Sequence, residues 1–119
     1  MTWPTPIRNV LARVLGERGD APQALRKAVA DYARIAGGGS GDSSELPGDV
    51  ATYVEKITYT PYKMVMRDIE SLKRQGFTED QIFELTLAAA LGAGQGRFEK
   101  TLALIEEKNR ATLITQQTR

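Results

Sequence analysis

The chain has 119 residues, of which 41% are hydrophobic and 26% are charged, the composition of a single water-soluble globular domain. Sixteen basic and fifteen acidic residues leave a net charge of +1, and because the basic residues are scattered, no electrostatic footprint for nucleic acid stands out. The chain contains no cysteine and no histidine, which excludes disulfides, thiolate nucleophiles and zinc–thiolate sites and removes the usual proton carrier at neutral pH.

Two amphipathic segments occupy the first third of the chain. Thr5 and Pro6 provide an N-cap and a first-turn proline, and they predict a first helix that ends at Gly16. Asp20 and Gln23 have the spacing of a capping box and predict the start of a second helix. Apolar residues recur at helical spacing in both segments, so each should bury one face.

Residues 37–48 are rich in glycine, serine and aspartate, and they predict a flexible connection within one domain that covers residues 1–119. A short helical face follows at Val50, Tyr53, Val54 and Ile57. The pair Thr60–Pro61 then indicates another N-cap, and the apolar spacing predicts a helix over residues 61–75.

The best-defined boundary in the sequence lies after Gly76, which predicts a left-handed helix stop. Thr78 and Gln81 form a capping box, and Phe77 and Ile82 occupy the two staple positions around it. The helix that starts here is apolar almost all round and contains an alanine run, which predicts a central position in a bundle.

Three glycines, Gly92, Gly94 and Gly96, are predicted to interrupt or bend this helix before a final helix and a polar tail at residues 109–119. No strand is needed anywhere, so the predicted fold is an all-α bundle of about six helices. The longest apolar run is far shorter than the ~20 residues that span a bilayer. We therefore expect a cytoplasmic protein without a membrane segment.

Residues 50–105 resemble the superfamily of AhpD-like alkylhydroperoxidases and carboxymuconolactone decarboxylases. The likeness is carried by Leu72, the junction at residues 76–82, the alanine-rich helix and the Gly-Arg-Phe-Glu start at residues 96–99. It implies an AhpD-like all-helical fold and a homo-oligomer, a trimer or a hexamer.

The chain departs from that superfamily at the reactive positions. In the redox members, a C-x-x-C pair and a histidine precede the glycine, and counting back from Gly76 places them at Pro61, Met64 and Asp68. A thioether cannot form the thiolate that attacks a peroxide, and proline has no reactive side chain. The resemblance also implies a proton-relaying glutamate, for which Glu55 or Asp49 are candidates, but no redox centre is present for it to serve. We expect neither peroxidase activity nor a cofactor.

A candidate pocket surrounds the Thr60–Pro61 pair, with Tyr53, Tyr62, Met66 and Arg67 as its residues. An apolar group of this kind is more often core or subunit contact than a ligand site. The acidic residues nearby, including Asp68, are more often a solvated face than a metal site, so no metal is predicted.

Two functional hypotheses follow. The first is a non-redox, AhpD-like protein that acts as an oligomeric binding or scaffolding subunit, without enzymatic activity. The alternative is a carboxymuconolactone-decarboxylase-like enzyme that acts on a small organic acid or lactone. The first candidate residues of this enzyme would be Tyr62, Arg67 and Asp68. Arg67 is included because its guanidinium group suits planar anions such as carboxylates.

Overall fold

A computed structural model describes residues 4–117 of the chain. Its elements are five α-helices and one 3-10 turn, in the order α1 (Thr5–Leu15), α2 (Gln23–Ala36), α3 (Gly48–Tyr59), the turn Pro61–Lys63, α4 (Met66–Arg74) and α5 (Glu79–Gln117). Among the described residues there is no strand, so the all-α prediction is confirmed, with five helices instead of about six. None of the described helices is long and apolar enough to cross a membrane.

The core lies mainly between α2 and α5. Val29 and Ala33 of α2 are fully buried, as are Leu85, Ala88 and Ala89 of α5. Val50 and Val54 bring α3 onto the same core, and Leu72 anchors α4. Because most of the facing side chains on α2 and α5 are alanines, the two helix backbones lie close together.

The three glycines do not interrupt α5, which runs unbroken for 39 residues, so the prediction of two separate helices is wrong. A Cβ atom on Gly92 would overlap the carbonyl oxygen of Ala30, and one on Gly96 would overlap that of Arg34. Gly92 and Gly96 therefore allow backbone contact with α2. Each glycine lowers helix propensity by about 1 kcal/mol, and this packing offsets that cost at the two positions.

The connection between α2 and α3, residues 37–47, is non-helical and is tied to α2 by side-chain contacts. Arg34 donates to the carbonyl oxygen of Ser40 at 3.0 Å and forms an ion pair with Glu99 of α5, also at 3.0 Å. Asp31 accepts bonds from the backbone N–H and the hydroxyl of Ser44, at 3.1 and 3.0 Å. Burial would raise the pKa of Asp31, but the bonds from Arg34 and Ser44 outweigh it and hold the pKa below its ordinary value.

Two helices start at other residues than the sequence predicts, and side-chain contacts explain both differences. The pair Thr60–Pro61 opens only the 3-10 turn, and α4 begins at Met66, because the Asp68 carboxylate accepts the N–H of Val65 at 2.9 Å. Asp20 does not cap α2, which follows Pro22; instead its backbone N–H donates to Glu84 at 2.8 Å.

The capping box at the start of α5 is confirmed. The Thr78 N–H donates to the Gln81 side-chain oxygen at 2.9 Å, and the Gln81 N–H donates to the Thr78 hydroxyl at 3.1 Å. At the other end, the predicted polar tail at residues 109–119 is helical as far as Gln117, and its last two residues lie outside the described range.

The glycine contacts predict opposite effects of one substitution at neighbouring positions. Gly92→Ala and Gly96→Ala should each lower the free energy of unfolding by several kcal/mol, because the methyl group would overlap a backbone carbonyl of α2. Gly94→Ala is the matched control, since nothing lies within 4 Å of the position that its methyl group would take and alanine favours the helix by about 1 kcal/mol. Urea unfolding at a protein concentration low enough that only single chains are present measures all three, and equal effects at the three positions would contradict the packing described here.

Candidate functional site

The three positions that correspond to the reactive residues of the redox superfamily lie around the start of α4. Pro61 is exposed in the 3-10 turn, Met64 is half-buried and packs against the core, and Asp68 lies in the first turn of α4. The Asp68 carboxylate accepts two bonds from the Lys56 ammonium, at 3.0 and 2.8 Å, as well as the Val65 N–H. It therefore links α3 to α4 and fixes the start of α4.

These contacts also set the ionisation of Asp68. The hydrogen bonds from Lys56, followed by that from the Val65 N–H, hold the pKa of Asp68 below its ordinary value of 3.8. A carboxylate that stays ionised and fully engaged suits a structural role better than proton transfer near neutral pH.

Two of the four candidate pocket residues, Tyr53 and Met66, share a cleft of about 360 Å³ between α3, α4 and α5. The Tyr53 hydroxyl is paired with the Thr86 hydroxyl at 2.7 Å. Tyr62, with 79% of its surface exposed, and the exposed Arg67 do not line this cleft. The other lining residues are three apolar ones, one ion pair and one threonine: Ile69, Ile82, Phe83, Lys73, Glu79 and Thr86.

The two candidates for the proton-relaying glutamate, Glu55 and Asp49, do not line this cleft, and neither does Arg97. Glu55 accepts a short hydrogen bond from the Tyr32 hydroxyl of α2, and this bond is the main reason why the pKa of Tyr32 is raised. Arg97 donates to the backbone carbonyl of Thr58 and so joins α5 to the end of α3. Asp49 is exposed in the first turn of α3.

A second cleft, of about 350 Å³, lies on the other side of Phe83. It is formed between α1 and α5, and Arg13, Arg18 and Leu87 contribute to its walls. Phe83 thus stands between two shallow clefts and remains 64% exposed.

Sequence reasoning missed the outward face of α5, which we call the outward stripe. Its seven members are exposed and uncharged, and they follow the 4-3-4-4-3-4 spacing of one helix face: Phe83, Leu87, Ala90, Gly94, Phe98, Thr101 and Ile105. The spacing is present in the sequence. The spacing is not assigned to one helix face from the sequence, because the three glycines predict a break in the helix.

Five of the seven charged residues at positions 97–110 of α5 lie on a different side, whereas Arg97 and Lys108 lie at one edge of the outward stripe. Five charged residues fall on the side that continues the core face of α5 or on its flanks: Glu99, Lys100, Glu106, Glu107 and Arg110. A helix on the surface of a globular protein normally turns its charged residues to solvent and its apolar residues to the core. Here the side away from the bundle has exposed, uncharged and mostly apolar residues as far as Ile105.

Comparison with known proteins found no matching family model, no matching curated protein and no matching solved structure. The resemblance to the AhpD-like superfamily therefore stays a prediction. Function is inferred below from the geometry of the described residues.

The Asp68 contacts predict a pH-dependent contribution to stability. Since the pKa of Asp68 is lowered on folding, its contribution is present above the ordinary value of 3.8 and is lost as the pH falls through the lowered pKa. Asp68→Asn should cost about 1 kcal/mol of unfolding free energy at pH 7, because it removes the charge-assisted bonds from Lys56.

The difference between Asp68→Asn and the unmodified chain should disappear in strong acid, whereas the exposed control Glu70→Gln should change little at either pH. Chemical denaturation at neutral pH and in strong acid gives the comparison. A cost that is the same under both conditions would show that the carboxylate charge is not what stabilises this junction.

Proposed function

We propose that the chain is a non-redox, self-associating helical subunit, with binding or scaffolding as its role, and that the outward stripe of α5 is its docking surface. The observation that carries the proposal is the reversal of faces on α5. The outward stripe is uncharged, while most charges of the second half of α5 lie on the side that continues the core face or on its flanks. Peroxidase activity is not part of this role, because the chain has neither cysteine nor histidine.

The energy of association would come from side chains that the bundle leaves in water. Phe83, Leu87, Phe98 and Ile105 retain 64%, 39%, 47% and 51% of their exposure. Covering the exposed part of each side chain is worth about 1 kcal/mol. Because a contact between two identical copies uses every such residue twice, the stripe suits self-association.

The cleft beside Tyr53 supports a second candidate function, the binding of a small organic ligand as in the decarboxylase alternative. Its walls are mainly apolar, and the Tyr53 and Thr86 hydroxyls lie among them. A carboxylate entering this cleft would meet Lys73, which already pairs with Glu79. Tyr62 and Arg67 lie outside the cleft, so a ligand there would not be held by the residues first expected.

The ligand alternative predicts a selective effect of filling the cleft. If small organic acids or lactones raise the melting temperature of the protein, Met66→Trp should abolish the rise by occupying the space. Tyr62→Ala, outside the cleft, should leave the rise intact. Thermal-shift measurements on the two variants with the same ligands test this prediction. A ligand-induced rise in melting temperature that persists in Met66→Trp would show that the ligand binds elsewhere.

The self-association proposal predicts different outcomes for two lysine substitutions on one helix. Ile105→Lys puts a charge into the outward stripe, whereas Glu107→Lys changes the charge two residues away on another side; both positions are exposed. Ile105→Lys should weaken self-association at least tenfold and leave helix content unchanged, since lysine is a good helix former.

Light scattering coupled to size exclusion, with circular dichroism as the folding check, separates these outcomes. Glu107→Lys should retain the mass of the unmodified chain. Equal dissociation of both variants would show that net charge, and not the stripe, controls assembly.

A further inference from the structure

We infer that α5 pairs with α5 of a second copy of this chain in antiparallel orientation, with the two-fold axis at Gly94. This inference rests on the proposed self-association and adds the partner, the orientation and the register.

The stripe has the same spacing on both sides of Gly94. Phe83 and Ile105 lie 11 residues before and after it, Leu87 and Thr101 lie 7 before and after it, and Ala90 and Phe98 lie 4 before and after it: six positions that form three symmetric pairs. In a two-fold contact, residue i of one copy faces residue j of the other, and j faces i. An antiparallel pair centred on Gly94 satisfies this condition for every member of the stripe.

The sizes of the opposed side chains also fit. Gly94 would face Gly94 of the second copy, and no atom of its own chain lies within 4 Å of the place that a methyl group would take there. The small Ala90 would face the larger Phe98, which is 47% exposed. Backbones can therefore approach at the axis while the larger side chains fill the space on either side of it.

The charges select the antiparallel direction. Asp80 and Lys108 are both exposed and lie 14 residues before and after Gly94, so the register that pairs the stripe also places each Asp80 against a Lys108 of the second copy. A parallel pair in the same register would place like charges together at both sites. Opposite directions of the helix dipoles favour the antiparallel pair as well.

The surface around Phe83 has room for the second helix. Ile105 of the second copy would lie over Phe83, between the clefts of about 360 and 350 Å³ on its two sides. The projecting half of each α5 would thus rest on the bundle of the other copy. Its apolar residues would be covered by the partner, while its charged side would remain in water.

Cysteine cross-linking tests the geometry directly, because the natural chain has no cysteine. In the antiparallel pair, only a residue at the axis meets its own copy. Gly94→Cys should therefore form an intermolecular disulfide on mild oxidation. Leu87→Cys alone and Thr101→Cys alone should not, because the two copies of either residue would lie about 21 Å apart, beyond disulfide reach. The double variant L87C/T101C should cross-link.

Charge exchange provides a second measurement that does not depend on oxidation. Asp80→Lys and Lys108→Asp should each weaken the dimer several-fold in sedimentation velocity, and D80K/K108D together should restore it. Circular dichroism checks that each variant remains helical.

The outcomes separate the pairing from the underlying proposal. If the unmodified chain is monomeric, self-association itself is wrong. If it is dimeric but Leu87→Cys and Thr101→Cys cross-link alone as readily as Gly94→Cys, the helices are parallel. If it is dimeric and none of the cysteine variants cross-links, the second copy binds another surface.

Discussion

The contact of Gly92 and Gly96 with the backbone of α2 determines the arrangement of the rest of the molecule. Because no side chain separates the two helices at Ala30 and Arg34, α5 lies directly on α2. This contact fixes the rotation of α5 about its own axis. Gly94, between the two contact glycines, then points away from the bundle, together with the rest of the outward stripe.

One helix therefore has two apolar sides with different roles. The side with Leu85, Ala88 and Ala89 is buried in the core, whereas the side with Phe83 and Leu87 faces outward. Past residue 102, the side that continues the core becomes charged, but the outward side still contains Ile105. Folding of a single chain does not require apolar residues on this outward side, and this is the observation on which the proposed self-association rests.

Local chemistry makes some elements predictable from the sequence. The start of α5 is specified within a few residues by Thr78, Gln81 and the glycine before them, and the structure agrees. The predicted start of α4 is wrong because a Thr-Pro pair is a local signal, while the bond from the Val65 N–H to Asp68 and the bridge to Lys56 depend on α3 being nearby. The predicted break at the glycines of α5 is wrong for the same reason, since their contacts are with α2.

The candidate site is only partly predictable. Tyr53 and Met66 do share a cleft, because α3 and α4 meet there, but Tyr62 lies in the 3-10 turn and Arg67 in the first turn of α4, and both face solvent. The resemblance gives Asp68 the position of a reactive residue, yet its contacts are those of a helix cap and an interhelical ion pair. The outward stripe requires knowledge that α5 is continuous, which no local pattern provides.

The central claim is that α5 is an assembly helix, and the mass of the unmodified chain in solution tests it most directly. Sedimentation equilibrium over a range of concentrations should give an association that includes a species of twice 13.1 kDa and that dissociates on dilution. A mass of 13.1 kDa at every concentration up to the millimolar range would contradict the claim.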